Sequence, residues 1–213
     1  MSYIILENVS KKIKNNLVLS NINLTLEKGK IYGFVGENGS GKTMLLRTVA
    51  GLLKPDGKVE VNGIDIYKSK SRETVGIMIE NIGLFNELTA KENLRLLNSF
   101  SNKKISDKEI DMAISSVGLD ADSSLIYKKF SLGMKQKLCI AQAIMSHPDI
   151  LLLDEPTNAL DENGVNMFRD IIKKENENGA TVIIASHNKE DISLLCDKVY
   201  RIKNGTIEDS KND

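Results

Sequence analysis

Residues 36–43 read GENGSGKT, with the apolar run KIYGFV before them and MLLRTVAGLL after. This match to GxxxxGK[ST], placed between a strand pattern and a helix pattern, constrains the fold more than any other feature of the chain. Gly36, Gly39 and Gly41 allow the backbone to curl until successive N–H groups converge, and the following helix adds the positive end of its dipole. The candidate phosphate cradle runs through Gly36, Glu37, Asn38, Gly39, Ser40, Gly41, Lys42, Thr43 and Met44. Lys42 is the residue to reach β- and γ-phosphates, and the Thr43 hydroxyl the one to ligate Mg²⁺.

A second element, ILLLDEP at 150–156, places two adjacent carboxylates after four apolar residues. An acid at the end of a buried strand can reach a metal held beside such a loop. Asp154 is expected to hold Mg²⁺ through water, and Glu155 to orient or deprotonate an attacking water. The pair predicts a hydrolase of nucleoside triphosphates rather than a binder alone.

The chain has 213 residues, enough for one substantial domain. Lys+Arg and Asp+Glu both total 29, and the basic groups KKIK, KSKSR and NKK are short, so direct nucleic-acid binding is not expected. Cys139 and Cys196 stand far apart in apolar helical patterns and read as reduced, packed thiols. The start lacks the pattern of a signal peptide, and no apolar run approaches the roughly 20 residues a transmembrane helix needs. A membrane role therefore requires another polypeptide.

IYGFV (31–35), ILLLD (150–154) and TVIIAS (181–186) are continuous apolar runs, as expected of strands buried on both faces of a parallel sheet. INLTL (22–26) alternates as a half-buried strand does, and KVEVNGIDI (58–66) reads as a hairpin about Asn62-Gly63. Thr89 with Glu92, and Ser106 with Glu109, fit capping boxes opening the helices AKENLRLLNSF and DKEIDMAISSVG. Helices and no convincing strand are expected between Phe85 and Ala143, and Gly179 should stop the helix ending KKENEN. The reading is a single α/β domain over 1–213, with a core at 1–84 and 144–213 and a helical subdomain at about 85–143.

DENG (161–164) and NKED (188–191) fit the DxxG and NKxD patterns of GTPases. Their distances from the phosphate loop and from each other do not suit that class, and DENG begins a helix pattern.

The remaining order of motifs resembles the ATP-binding subunit of ABC transporters over nearly the whole chain. It runs IMIENIGLFNELTAKENL (77–94), FSLGMKQKL (130–138), LLLDEPTNALD (151–161) and IIASH (183–187). The resemblance implies a P-loop NTPase core with an ABC-type antiparallel β-subdomain and an inserted α-helical subdomain, binding ATP with Mg²⁺. It implies a head-to-tail homodimer, or a sibling heterodimer, in which Ser131 and Gly133 of one copy complete the nucleotide site of the other. Asp161 matches the aspartate that links the two sites, and His187 the histidine that contacts the γ-phosphate. His147 has no such support and reads as a loop residue. The partner implied is an integral membrane permease, bound at the cytoplasmic face of the cell membrane near residues 81–100.

Three positions depart from the pattern. Ile13 stands where an aromatic ring usually stacks on adenine, which predicts a weaker, apolar contact. Glu80 replaces the usual Gln of the Q-loop; it can approach Mg²⁺ or the water and is expected to couple the site to the permease. SLGMK replaces the common SGGQ, with Leu132 and Met134 as the changes. IEN and SLGMKQKL together resemble the bacitracin and lantibiotic immunity exporters. A soluble ABC ATPase acting on ribosomes or DNA is the alternative, although this chain has neither a second ATPase domain nor a long insertion.

Overall fold

Alternation along the buried strands decides the architecture. In ILLLD, Ile150 and Leu152 belong to one apolar cluster while Leu151 and Leu153 belong to another, as the two-residue period of a strand requires. TVIIAS divides the same way, Ile183 and Ala185 on one side and Val182 and Ile184 on the other. The computed structural model describes residues 2–69, 72–79, 83–101, 103–187, 192 and 194–209. A six-stranded sheet lies between the two clusters, each fully buried Leu or Ile adding about 1.5–3 kcal/mol.

The strands are β1 (Ser2–Ile13), β2 (Asn16–Glu27), β3 (Ile31–Val35), β4 (Asp56–Val61), β5 (Ile64–Asp65), β6 (Val75–Met78), β7 (Ile150–Asp154), β8 (Thr181–Ser186), β9 (Lys198–Lys203) and β10 (Thr206–Asp209). The larger sheet has the order β10-β9-β3-β8-β7-β6 and is parallel except for the β9–β10 hairpin. A second, antiparallel sheet has the order β2-β1-β4-β5. Its apolar face, with Leu6, Val9, Leu19 and Val59, shares a cluster with Leu45 and Leu46 of α1 (Lys42–Val49). Asn62 and Gly63, at φ 51° and 76°, close the β4–β5 hairpin as their preference for positive φ predicts.

Four helices contribute to the other cluster: α2 (Ala90–Phe100), α3 (Asp107–Ser116), α4 (Leu132–Ile144) and α5 (Glu162–Glu177). Both expected capping boxes form, with the Thr89 and Ser106 hydroxyls accepting the Glu92 and Glu109 N–H groups. Each such cap stabilises its helix by about 1 kcal/mol. Beyond α5, Gly179 has φ 99° and its N–H donates to Asn176 O at 2.8 Å, the stop expected there.

Several strands escape a pattern reading for local reasons. Strand β1 pairs with β2 through four register shifts, and Asn8 has φ 51°, so the alternation that would announce it is broken. With only four residues, one of them Gly76, β6 offers no period to read.

His147 lies in the loop after α4, as expected, and the structure adds a partner: its Nδ1 lies 3.0 Å from Glu175 Oε1 and 3.1 Å from Oε2. Glu175 is buried on α5, and a buried carboxylate needs a polar partner, which the loop after α4 supplies. Both cysteines are free, and burial pushes the Cys139 thiol up to about 11 and the Cys196 thiol up to about 12. They behave as packed apolar groups, in keeping with the sequence reading. No described helix is long and apolar enough to cross a membrane.

Candidate active site

The parallel register carries β3, β8 and β7 to a common edge, pairing Val35 with Ser186 and Asp154 with Ala185. The segments that leave this edge hold the candidate residues. After β3 the chain turns through the glycine-rich loop into α1, whose first residue is Lys42. Gly41 has φ 111°, and a Cβ there would stand 2.8 Å from Val18 O; one on Gly36 would stand 2.3 Å from Ile202 O. A side chain at either position would close the loop, so the backbone needs glycine at both.

Lys42 is buried, and its Nζ donates to Gly36 O at 2.7 Å and to Glu37 O at 3.2 Å. The same ammonium stands 3.7 Å from Glu155 Oε1. Thr43 Oγ1 donates to Asp154 Oδ2 at 2.5 Å, joining the start of α1 to the end of β7. Glu155 has φ 47°, a left-handed backbone that is uncommon outside glycine and asparagine. That turn brings its carboxylate back over the sheet edge. There Oε2 accepts from His187 N and Ser186 Oγ, each at 3.3 Å, and lies 2.8 Å from His187 Nδ1.

A cleft of about 530 Å³ opens over these groups, lined by Ile13, Asn38, Gly39, Ser40, Gly41, Lys42, Thr43, Met44, Asp154 and Glu155, with Lys14, Asn16 and Val18 at its side. Gly36 and Glu37 line an adjoining hollow with Arg201 to Asn204. The Ser40 hydroxyl oxygen is buried with no hydrogen-bond partner among the described residues, inside a loop of converging amides. A polyphosphate fits this donor-rich cradle. For a divalent cation, Thr43 and Asp154 offer a hydroxyl and a carboxylate at one point. Mg²⁺ characteristically takes such a set, one or two protein oxygens completed by substrate phosphates and water.

Not every candidate residue meets here. Ser131 is the N-cap of α4, where its Oγ accepts the Met134 N–H at 3.2 Å while its hydroxyl hydrogen remains available to donate. Ser131 and Gly133 do not line the cleft, nor does Asp161, which caps α5 by accepting the Gly164 N–H at 2.8 Å. DENG thus begins a helix and ends no strand, while NKED lies outside the described residues, as does Glu80.

Sequence reasoning missed Gln136 on α4. Its Nε2 donates to Pro156 O at 2.7 Å and Glu155 O at 3.1 Å. A polar residue on a helix gives no local sign that it reaches another element.

A glycine-rich loop delivering Lys and Thr to a helix start, beside a strand ending in Asp-Glu, defines a P-loop nucleoside triphosphatase. The ABC transporter family model matches residues 19–158. A Bacillus subtilis (strain 168) relative, the uncharacterized ABC transporter ATP-binding protein YybJ, is 51% identical over 207 residues, covering 96% of this chain and 94% of its own. The bacitracin transport ATP-binding protein BcrA of Enterococcus faecalis is 37% identical over 218 residues, covering 100% and 70%. Among solved structures, the dimeric bacterial ABC transporter cassette MJ0796 superposes with a TM-score of 0.88 at 27% identity, covering 96% of both chains. Its dimer has also been solved in a post-hydrolysis state bound to ADP and Pi. The chain belongs to the ABC transporter family, and its activity is that of an ATPase driving transport.

Proposed function

We propose that this chain powers export of peptide antibiotics, of the bacitracin type, by hydrolysing ATP beneath a membrane permease at the cytoplasmic face of the cell membrane. The observation that carries the ATP chemistry is the convergence of Lys42, Thr43, Asp154 and Glu155 on one cleft, with His187 held against Glu155. Identity to BcrA over the whole chain supports the substrate class.

In this reading the loop amides and Lys42 bind the phosphates, with the Lys42 ammonium already aimed by the carbonyls of Gly36 and Glu37. Thr43 and Asp154 hold Mg²⁺, which when bound neutralises charge on the β- and γ-phosphate oxygens. Glu155 orients water for attack on the γ-phosphorus and takes its proton. His187, fixed against Glu155 through its ring and its backbone, contacts the γ-phosphate from the β8 side. Ser131 and Gly133 complete the nucleotide site of a second copy, and Asp161 lies between the two sites. Leu132, exposed at the first turn of α4, gives that surface an apolar contact for the second copy. Phe85 and Phe100, also exposed, lie in the stretch proposed to receive the permease.

Ile13 sits on the cleft wall and is partly exposed. Placed against adenine it offers contact without a ring. Ile13→Tyr is expected to lower the dissociation constant for ATP about tenfold, since stacking on an aromatic side chain contributes about 1–3 kcal/mol per base. An unchanged constant by calorimetric titration would remove Ile13 from the adenine site.

The transport reading is tested by affinity purification of the tagged chain from mildly solubilised native membranes. A polytopic membrane protein should come with it and be released by substitutions at Phe85. Deletion of the gene should sensitise the cell to bacitracin. Recovery of ribosomes or DNA in place of a permease would refute the assignment.

A further inference from the structure

The turn that carries Glu155 is gripped from behind by a residue outside the cleft. Gln136 lies on α4, and its side-chain nitrogen donates to two consecutive carbonyls, Glu155 O and Pro156 O. Those two bonds use both hydrogens of the amide. The contact is backed by close packing, because a Cβ on Gly133 would stand only 3.0 Å from Ala159 O. The first turns of α4 thus rest directly on the segment leaving β7. Glu155 needs such a hold, because its φ of 47° persists only where surrounding structure over-determines it.

We propose that Gln136 is a positioning residue for hydrolysis: by fixing the Glu155 and Pro156 carbonyls, it keeps the Glu155 carboxylate between Lys42 and His187. The inference rests on the reading of Glu155 as the group that acts on water. Without the amide donor, the two carbonyls turn toward other partners and the peptide between them rotates. The carboxylate then moves relative to the water it must orient. Within this chain the phosphates stay with the loop and Lys42, which belong to other elements, so kcat should fall while KM holds.

Steady-state ATP hydrolysis by the purified full chain, with thermal unfolding of every variant, decides the matter. Gln136→Glu removes the donor at constant shape, Gln136→Met removes it at similar length, and Gln136→Lys restores N–H donors. The first two are expected to lower kcat about tenfold, because small misplacements of a catalytic group are costly, with KM within about twofold. Gln136→Lys should recover most of the loss.

Wild-type kcat in both variants that lack the donor would overturn the proposal, as would a change in KM alone or a Gln136→Lys as slow as Gln136→Met. Should Gln136→Glu fail to fold, the Met and Lys pair carries the same contrast. Glu155→Gln is assayed alongside. If it leaves hydrolysis intact, the role of Glu155 fails and takes this inference with it. If it abolishes hydrolysis while both variants lacking the donor turn over normally, only the role of Gln136 fails.

Discussion

Glu155→Gln is expected to slow ATP hydrolysis by about 10²–10⁴-fold, the range that general-base catalysis contributes, while ATP still binds. The substitution keeps the shape of the side chain and its reach to His187 and Ser186. It removes the negative charge 3.7 Å from Lys42 Nζ and the basic oxygen that would take a proton from water. Binding should hold or tighten, because one carboxylate fewer faces the γ-phosphate. The variant should therefore accumulate a dimer that depends on ATP, visible by size-exclusion chromatography and absent with ADP. Phosphate release near the wild-type rate would show that another group activates the water.

Lys42→Met should act on the other parameter. Its ammonium is the buried cation of the cleft, and hydrogen bonds involving a charged group contribute about 1.5–3 kcal/mol each. Losing one to phosphate corresponds to a weakening of ATP binding by about 10–150-fold. The substitution also leaves the Gly36 and Glu37 carbonyls and Glu155 Oε1 without their cation, so thermal stability should fall modestly as well. Fluorescent-nucleotide titration separates the two effects when paired with a melting curve. An ATP affinity equal to wild type would mean that the backbone amides alone hold the phosphates.

The chemistry of the site was more legible in the sequence than its geometry. Lys42, Thr43, Asp154 and Glu155 occupy short segments whose strand and helix context is local, and the residue types alone limit what they can do. β3, β7 and β8 were equally plain because burial on both faces leaves an unbroken apolar run. Irregular strands such as β1, with its shifted register, gave no such signal. Neither did partnerships between distant elements: Gln136 with the Glu155 turn, or His147 with Glu175. These depend on tertiary packing, which brings together residues 19, 20 or 28 positions apart without any spacing rule.

The left-handed backbone at Glu155 sets two selective pressures against each other. A non-glycine residue in such a conformation costs about 1–3 kcal/mol, against the roughly 5–15 kcal/mol by which a domain outlasts unfolding. Glycine, or to a lesser extent asparagine, would relax the turn and silence the carboxylate chemistry there. In a lineage that no longer needed transport, this codon would be among the first to drift toward a more durable, idle protein.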